Sequence, residues 1–459
     1  MTALGTDPRT GHGRWPAPQR LAFPTVDEVS RHCLSEVEPE TVHIEVHLPG
    51  RLDPRQLRDA FHRALLLHPR SLVRQAPHRW YRRSYEWELT GTPDVDPVSF
   101  AGSGTDALAR ARSRALALCP PLSQSPPVRL EVINPSARRT VLLLTLHHTA
   151  LDAPAGLRLL ATTAALYGGK GPVTGVPAPV RRARPEHHGG GILRRTGWAR
   201  PARLAAAGSL AAGSVARSNG MLLRELPLPQ RPDSAPDLAA PWTVNDQLLV
   251  AASLMAGRWN HSRGRRYGPV RITMPVDDRS LDIAMPIGNG TRLVEVPVSP
   301  ANREEERLLL APRPDPAAVA RLLHTTAQRT RALKSLQRAP LGPGAALLTA
   351  PLLPVGVRGA LTRGVRRAVA PWTSTLLLSN IGRVPYPLDF GEAGRAQAVW
   401  FSAPARMPRG LSVAAASTGG RLQLTLRWSR GLLDDDAANT LARLFEECLS
   451  LTYGPRSAP

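Results

Sequence analysis

At 459 residues the chain is long enough for two domains or one large domain in two lobes, and its three cysteines, Cys33, Cys119 and Cys448, form no Cys-x-x-Cys pair, which excludes a disulfide framework and a thiolate metal site. The formal charge is +23, yet only Lys170 and Lys334 are lysines among 59 basic residues, aromatics are scarce, and no recognition-helix or finger pattern accompanies the arginines, so nucleic-acid binding is set aside. The N-terminus is polar and broken by Pro and Gly, and the uncharged stretch Leu204 to Ala216 falls short of the ~20 residues that span a bilayer, so a cytoplasmic chain with no membrane span is expected.

In chain order, Val42, Ile44, Val46 and Leu48 alternate with polar residues as a strand does. Asp53 then caps a helix that opens on Pro54 and carries Leu57, Phe61, Ala64 and Leu65 as its core stripe. A second helix is predicted from Thr105 to Leu118. Val128 to Ile133 and Thr140 to His147 read as a hairpin about Asn134-Pro135-Ser136, followed by a helix over Gly156 to Tyr167. From Gly168 to Pro241 Pro, Gly and Arg prevail, with an Ala-rich amphipathic patch over Ile192 to Arg217, as expected of a long and partly helical connector. Its His187-His188 pair sits beside three glycines and reads as a solvated loop, because such a run holds no group in position. Thr243 with Asp246 three residues on forms a capping box that opens a helix to Trp259. Strands follow at Val270 to Val276, Thr291 to Val298 and Thr375 to Ser379, with a helix from Asp315-Pro316 and a hairpin about Gly419-Gly420. The last helix places Leu441, Leu444, Phe445, Cys448 and Leu449 on one face, so Cys448 is core. The expected division is an N-terminal lobe over 20–170, a connector over 171–241 and a C-terminal lobe over 242–459, each lobe mixed α/β.

The run Val141-Leu142-Leu143-Leu144-Thr145-Leu146 reads as a strand buried on both faces, and it delivers the octet His147-His148-Thr149-Ala150-Leu151-Asp152-Ala153-Pro154 to its end. Two histidines and a carboxylate are acceptable zinc ligands, but successive strand side chains diverge and no third ligand cluster is evident, so no metal is expected. Neither GxSxG, GxxxxGK nor a dinucleotide fingerprint occurs, which sets aside serine hydrolases, ATPases and oxidoreductases.

His-His-x-x-x-Asp, the HHxxxD pattern, resembles the signature of the condensation-domain and chloramphenicol-acetyltransferase-like superfamily. Met274-Pro275-Val276-Asp277-Asp278-Arg279 is close to that family's Met-Pro-Val-Asn-x-Arg, and Leu378-Ser379-Asn380-Ile381-Gly382-Arg383 resembles its Ser-Asn-Leu-Gly-Arg stretch. Further similarity runs through Val244-Asn245-Asp246, Ile287-Gly288-Asn289-Gly290 and Met407-Pro408-Arg409-Gly410, which read as scaffold. The resemblance implies an α/β pseudo-dimer of two lobes with a substrate tunnel between them. It also implies acyl transfer from a phosphopantetheine thioester, on a carrier protein or coenzyme A, to a hydroxyl or amine of a small-molecule acceptor.

In that family the second histidine is the base, which here is His148, while His147 packs. The aspartate, Asp152, pairs with an arginine of the second lobe, here Arg279, and losing either partner of a buried pair costs ~3–5 kcal/mol. Ser379 and Asn380 are the expected oxyanion or tunnel residues. The chain departs from the pattern at Ala153-Pro154, where the family has glycine directly after the aspartate; a methyl group and a fixed φ there are expected to limit access to the tunnel. Asp389-Phe390-Gly391 matches only part of the family's Asp-Phe-Gly-Trp-Gly loop. The expected protein is a stand-alone condensation enzyme of secondary metabolism, a monomer with no bound cofactor, meeting an acyl or peptidyl carrier protein in trans. The other reading is a catalytically silent condensation-like protein that recruits partners to an assembly line.

Overall fold

The computed structural model describes residues 19–171, 199–207, 218–229, 242–266, 268–277, 279, 287–336 and 343–453. His187, His188 and Asp278 lie outside them, as does the Ala-rich stretch except for residues 199–207, which hold no helix.

The octet lies at the end of the central strand of a five-stranded sheet, whose spatial order is Ala398–Ser402, Thr41–Leu48, Arg139–His147, Val128–Ser136, Val98–Ser103. Strand Arg139–His147 runs antiparallel to both neighbours and is buried from Thr140 onward. Its apolar side chains alternate between two cores. Leu142, Leu144 and Leu146 pack with Leu57 and Phe61 of helix Pro54–Leu67 and Leu157 and Leu160 of helix Ala153–Tyr167. Val141 and Leu143 face Ala107, Ala111 and Ala115 of helix Thr105–Ala117. A strand covered on both faces has no polar side to show, which is why its sequence lacks alternation.

A six-stranded sheet has the order Thr291–Pro297, Arg271–Asp277, Leu376–Arg383, Leu411–Thr418, Arg421–Ser429, Asn219–Pro227. Its core is shared with helix Val244–His261, where the capping box forms as the sequence predicts: Thr243 accepts from the Asp246 N–H and the Asp246 carboxylate accepts from the Thr243 N–H at 2.8 Å. The last helix, Asp435–Ser450, buries Leu441, Phe445, Cys448 and Leu449 in that core. A smaller sheet joins Arg20–Ala22, Glu86–Leu89 and Val73–Gln75.

The two halves are interlocked. Strand Asn219–Pro227 lies within the stretch read as connector and forms the edge of the six-stranded sheet. Ala398–Ser402, from the C-terminal half, closes the five-stranded sheet by pairing antiparallel with Thr41–Leu48. Such pairings join segments hundreds of residues apart, and local periodicity carries no trace of them. Arg427 adds a buried bolt: from Arg421–Ser429 it donates to the carbonyls of Thr41 at 2.7 Å and Pro39 at 3.1 Å and to Asn219 Oδ1 at 2.7 Å. Burial lowers its guanidinium to about 10, which leaves it charged at neutral pH.

Candidate active site

Backbone hydrogen bonds fold the octet into a compact strand–turn–helix. His147 N–H donates to Pro127 O at 3.0 Å, His148 N–H to Glu40 O at 2.8 Å, and the N–H groups of Ala150 and Leu151 return to His147 O. Asp152 then caps helix Ala153–Tyr167, accepting from the Ala155 N–H at 3.0 Å. Ala153 and Pro154 are the first two residues of this helix, where proline fits because a first-turn N–H has no intrahelical acceptor to lose.

The two histidines part at the strand end. His147 is buried, its Nδ1 accepts from the Thr149 N–H at 3.2 Å, and burial lowers it to about 4, so it is neutral at physiological pH. His148 is half-buried and lines a cavity. Its Nδ1 lies 3.4 Å from Leu151 O; since a carbonyl only accepts, this contact suits the Nδ1–H tautomer, in which Nε2 carries the lone pair.

Asp152 and Arg279, 127 residues apart, meet at 2.9 Å with side chains only 3% and 7% exposed. The same carboxylate accepts from the Gly290 N–H at 3.0 Å. Arg279 also donates to both oxygens of Asp277, at 2.9 and 3.0 Å, and to Gly288 O at 3.2 Å. Burial pushes the Asp152 carboxyl up, against the pull of Arg279 and the two backbone donors. Gly290 is required by proximity, because a Cβ there would sit 2.2 Å from Arg279 Cδ.

The structure adds residues to which the sequence assigned no role in the site. Asn289 Nδ2 shares its two protons among three acceptors, His148 O at 2.9 Å, Thr149 O at 2.8 Å and Asp27 Oδ1 at 3.0 Å, holding the turn that carries His148. The Ile-Gly-Asn-Gly similarity marked Asn289 as scaffold; nothing in the sequence marked Asp27. Burial raises Asp27 to about 6 in spite of hydrogen bonds from Asn289 and from Trp87 Nε1. Burial also works to raise Glu40, yet the neighbouring Arg406 and His148 hold it below the usual carboxylate range. Asp27, Glu40 and Asp152 all lie within electrostatic reach of His148.

The cavity measures about 1710 Å³ and is lined from both large sheets. His148, Asp152, Ala153 and Pro154 contribute from the N-terminal half, Ser379 and Asn380 from strand Leu376–Arg383. Asn380 is engaged within its own strand: its Oδ1 accepts from the Gly382 N–H at 2.9 Å across a register shift, and its amide nitrogen reaches Asn245 Oδ1 at 3.5 Å. Five arginines also line the cavity, Arg366, Arg383, Arg395, Arg406 and Arg409. Among the described residues no group of His, Cys, Asp and Glu is arranged to hold a metal ion, and no helix is long and apolar enough to cross a membrane.

No family model matches the chain. Its architecture does match solved structures. A mutant of the starter condensation domain of rhizomide synthetase RzmA, in complex with C8-CoA and Leu-SNAC, superposes with a TM-score of 0.60 at 13% identity over 94% of each chain. The chain has the condensation-domain fold. The nonribosomal peptide synthetase FmoA3 shares it with a TM-score of 0.58 at 17% identity, over 96% of this chain and 43% of that much longer one. In sequence, the uncharacterized proteins MT2362 and Rv2305 of two Mycobacterium tuberculosis strains are each 27% identical over 454 residues, covering 94% of this chain and 99% of theirs. The resemblance read from the histidine motif therefore holds at the level of the condensation-domain fold.

Proposed function

We propose that the protein is a stand-alone acyltransferase of the condensation type, with the cavity as a substrate tunnel between two pseudo-dimeric lobes. The donor is an acyl or aminoacyl thioester of phosphopantetheine, on coenzyme A or a carrier protein supplied in trans, and the acceptor is a small-molecule hydroxyl or amine. One observation carries this reading: His148, its Nδ1 3.4 Å from Leu151 O, lines a large cavity to which Ser379 contributes from the other sheet. The acceptor attacks the thioester carbonyl as His148 Nε2 takes its proton, and the oxyanion is met by a donor such as the Ser379 hydroxyl. Collapse expels the thiolate, which recovers the proton from His148, so no acyl-enzyme forms. A base so placed supplies roughly 10²- to 10⁴-fold, and orientation of two bound substrates supplies the larger share.

Asp152, Arg279 and Asn289 are positioning residues that hold the His148 turn. The RzmA domain's complexes with C8-CoA and Leu-SNAC support a thioester donor here, as do the arginines lining the cavity, since guanidinium groups suit a phosphate-bearing arm. In this reading the protein works as a cytoplasmic monomer in secondary metabolism. Ala153 and Pro154, which line the cavity beside Asp152, favour the second reading, a silent condensation-like recruiter whose acceptor side is narrowed.

The test is turnover of a panel of acyl-CoA and acyl-carrier thioesters with amine and alcohol acceptors. His148→Ala is expected to lose about 10²- to 10⁴-fold in kcat with an unchanged melting temperature. Equal turnover in both proteins would overturn the assignment of the base, and no turnover by wild type with any pair would favour the recruiter.

A further inference from the structure

Helix Val355–Val369 turns most of its large apolar side chains outward. Its inward face carries Val355 and Arg358, the latter buried and ion-paired to Glu28 of helix Thr25–His32 at 2.8 Å, together with Gly359 and Thr362. Its outward face carries Val357, Leu361, Val365 and Val369, four residues apart and 39–50% exposed. The segment leading into the helix adds Leu347 and Leu352, 75% and 76% exposed. Beside the helix start stands the loop of Trp80 and Tyr81, 69% and 49% exposed, anchored by Gly356 N–H donating to Trp80 O at 2.9 Å. Large apolar side chains exposed in this number on neighbouring segments mark an interaction site.

Charge selects the occupant. The sequence holds no Asp or Glu between Asp315 and Asp389, nor between Asp59 and Glu86, the two segments that build this face. Exposed Arg79, Arg82, Arg83, Arg363 and Arg367 lie in those same segments. These two segments offer no carboxylate of their own to the lysines of a folded partner of mixed charge. A continuous anionic film matches all three features, because aliphatic side chains enter the acyl boundary, Trp and Tyr sit at headgroup level, and arginines meet lipid phosphates.

We propose that the face formed by residues 343–369 with the Trp80-Tyr81 loop docks the protein peripherally on anionic phospholipid bilayers. Arg366, on the same helix, lines the cavity, so docking sets the cavity beside the bilayer and within reach of amphiphilic substrates.

The experiment is co-sedimentation of the full-length protein with vesicles of phosphatidylcholine alone and of phosphatidylcholine with phosphatidylglycerol. It reads docking without turnover, so it stands apart from the acyl-transfer proposal. Binding is expected only to the anionic vesicles, weakening several-fold as salt rises to about 0.5 M. It should fall about tenfold or more in Leu361→Asp/Val365→Asp and in Trp80→Ser, both with wild-type melting temperatures, since their side chains leave the core untouched. Absence of binding, equal binding to neutral vesicles, or binding unaffected by either variant would overturn the proposal. So would a wild-type dimer that the variants dissolve, or capture of an acidic carrier protein that the variants abolish, each of which assigns the face to another occupant.

Discussion

Replacing Arg279 by Ala removes the side-chain partner of a carboxylate that is only 3% exposed. Asp152 would keep its two backbone donors, Ala155 and Gly290, both at 3.0 Å, but not a compensating charge, so the loss belongs in the ~3–5 kcal/mol range of a broken buried pair, toward the lower end. Asp152→Asn is milder. Arg279 then retains both oxygens of Asp277 and Gly288 O, and one hydrogen bond between charged groups is worth about 1.5–3 kcal/mol. The structure thus breaks the symmetry that the motif alone suggests. In the double variant the carboxylate is already neutral, and removing Arg279 costs its contacts to Asp277 and Gly288 O; since Asp277 is 26% exposed this adds about 1 kcal/mol, well short of additivity.

The pH dependence has a definite sign. A buried carboxyl raised above its unfolded value binds its proton more tightly when folded, so its contribution is lost as pH rises through the folded pKa. Arg279 pulls the Asp152 carboxyl down, so its removal raises that carboxyl further than in wild type; the Arg279→Ala deficit should therefore be larger at about pH 8 than at about pH 5, and the double variant should not show this growth. Equilibrium urea unfolding, followed by tryptophan fluorescence at both pH values, measures all four proteins. An Arg279→Ala deficit below about 1 kcal/mol, or a larger one for Asp152→Asn, would refute the reasoning.

Other outcomes follow from single contacts. Gly156→Ala puts a Cβ 2.6 Å from Leu146 Cδ1 and 2.7 Å from Ile44 Cδ1, where the histidine-motif helix rests on the sheet, and should cost ~1–3 kcal/mol; an unchanged melting temperature would show that the core yields freely. His147 stands at about 4 when folded against roughly 6.5 unfolded, so its neutral form contributes stability present above pH ~6.5 and lost as pH falls toward 4, about 3 kcal/mol in all. His147→Gln should accordingly lose less stability than wild type between about pH 7 and pH 4.5, and parallel curves would count against this. Asn289→Ala releases the carbonyls of His148 and Thr149 and should cut kcat about 10- to 100-fold while leaving the pH dependence of kcat unchanged in shape; wild-type kcat would remove its positioning role.

Elements whose physics is local were legible. The Asp53 cap with Pro54, the Thr243–Asp246 box and the hairpin about Gly419-Gly420 each need only neighbouring residues, and each forms where the sequence places it. Helix Val355–Val369 was passed over although Val357, Leu361, Val365 and Val369 recur at helical spacing; that stripe faces outward while Arg358 is buried against Glu28, which no local pattern foretells. Strand Asn219–Pro227 was lost among flanking Pro and Arg, although its chain pairs along its whole length with Arg421–Ser429. In the site, the motif letters brought forward His148, Asp152, Arg279 and Ser379. They were silent on Asp27, whose carboxylate is remote in sequence and enters only because Asn289 and Trp87 meet it in the folded chain.

By itself the sequence determined that an apolar strand would carry two histidines to its end, that a helix would follow over Gly156 to Tyr167, and that the fold would be mixed α/β. Those outcomes rest on short-range sterics, capping hydrogen bonds and the burial of an uninterrupted apolar run. Only the tertiary structure decided that the motif helix begins at Ala153-Pro154 directly after Asp152, that Ala398–Ser402 crosses into the opposite sheet, and that one asparagine ties the histidine turn to Asp27. These depend on which distant groups satisfy one another's buried donors and acceptors, a choice made over the whole chain at once and written in no local pattern.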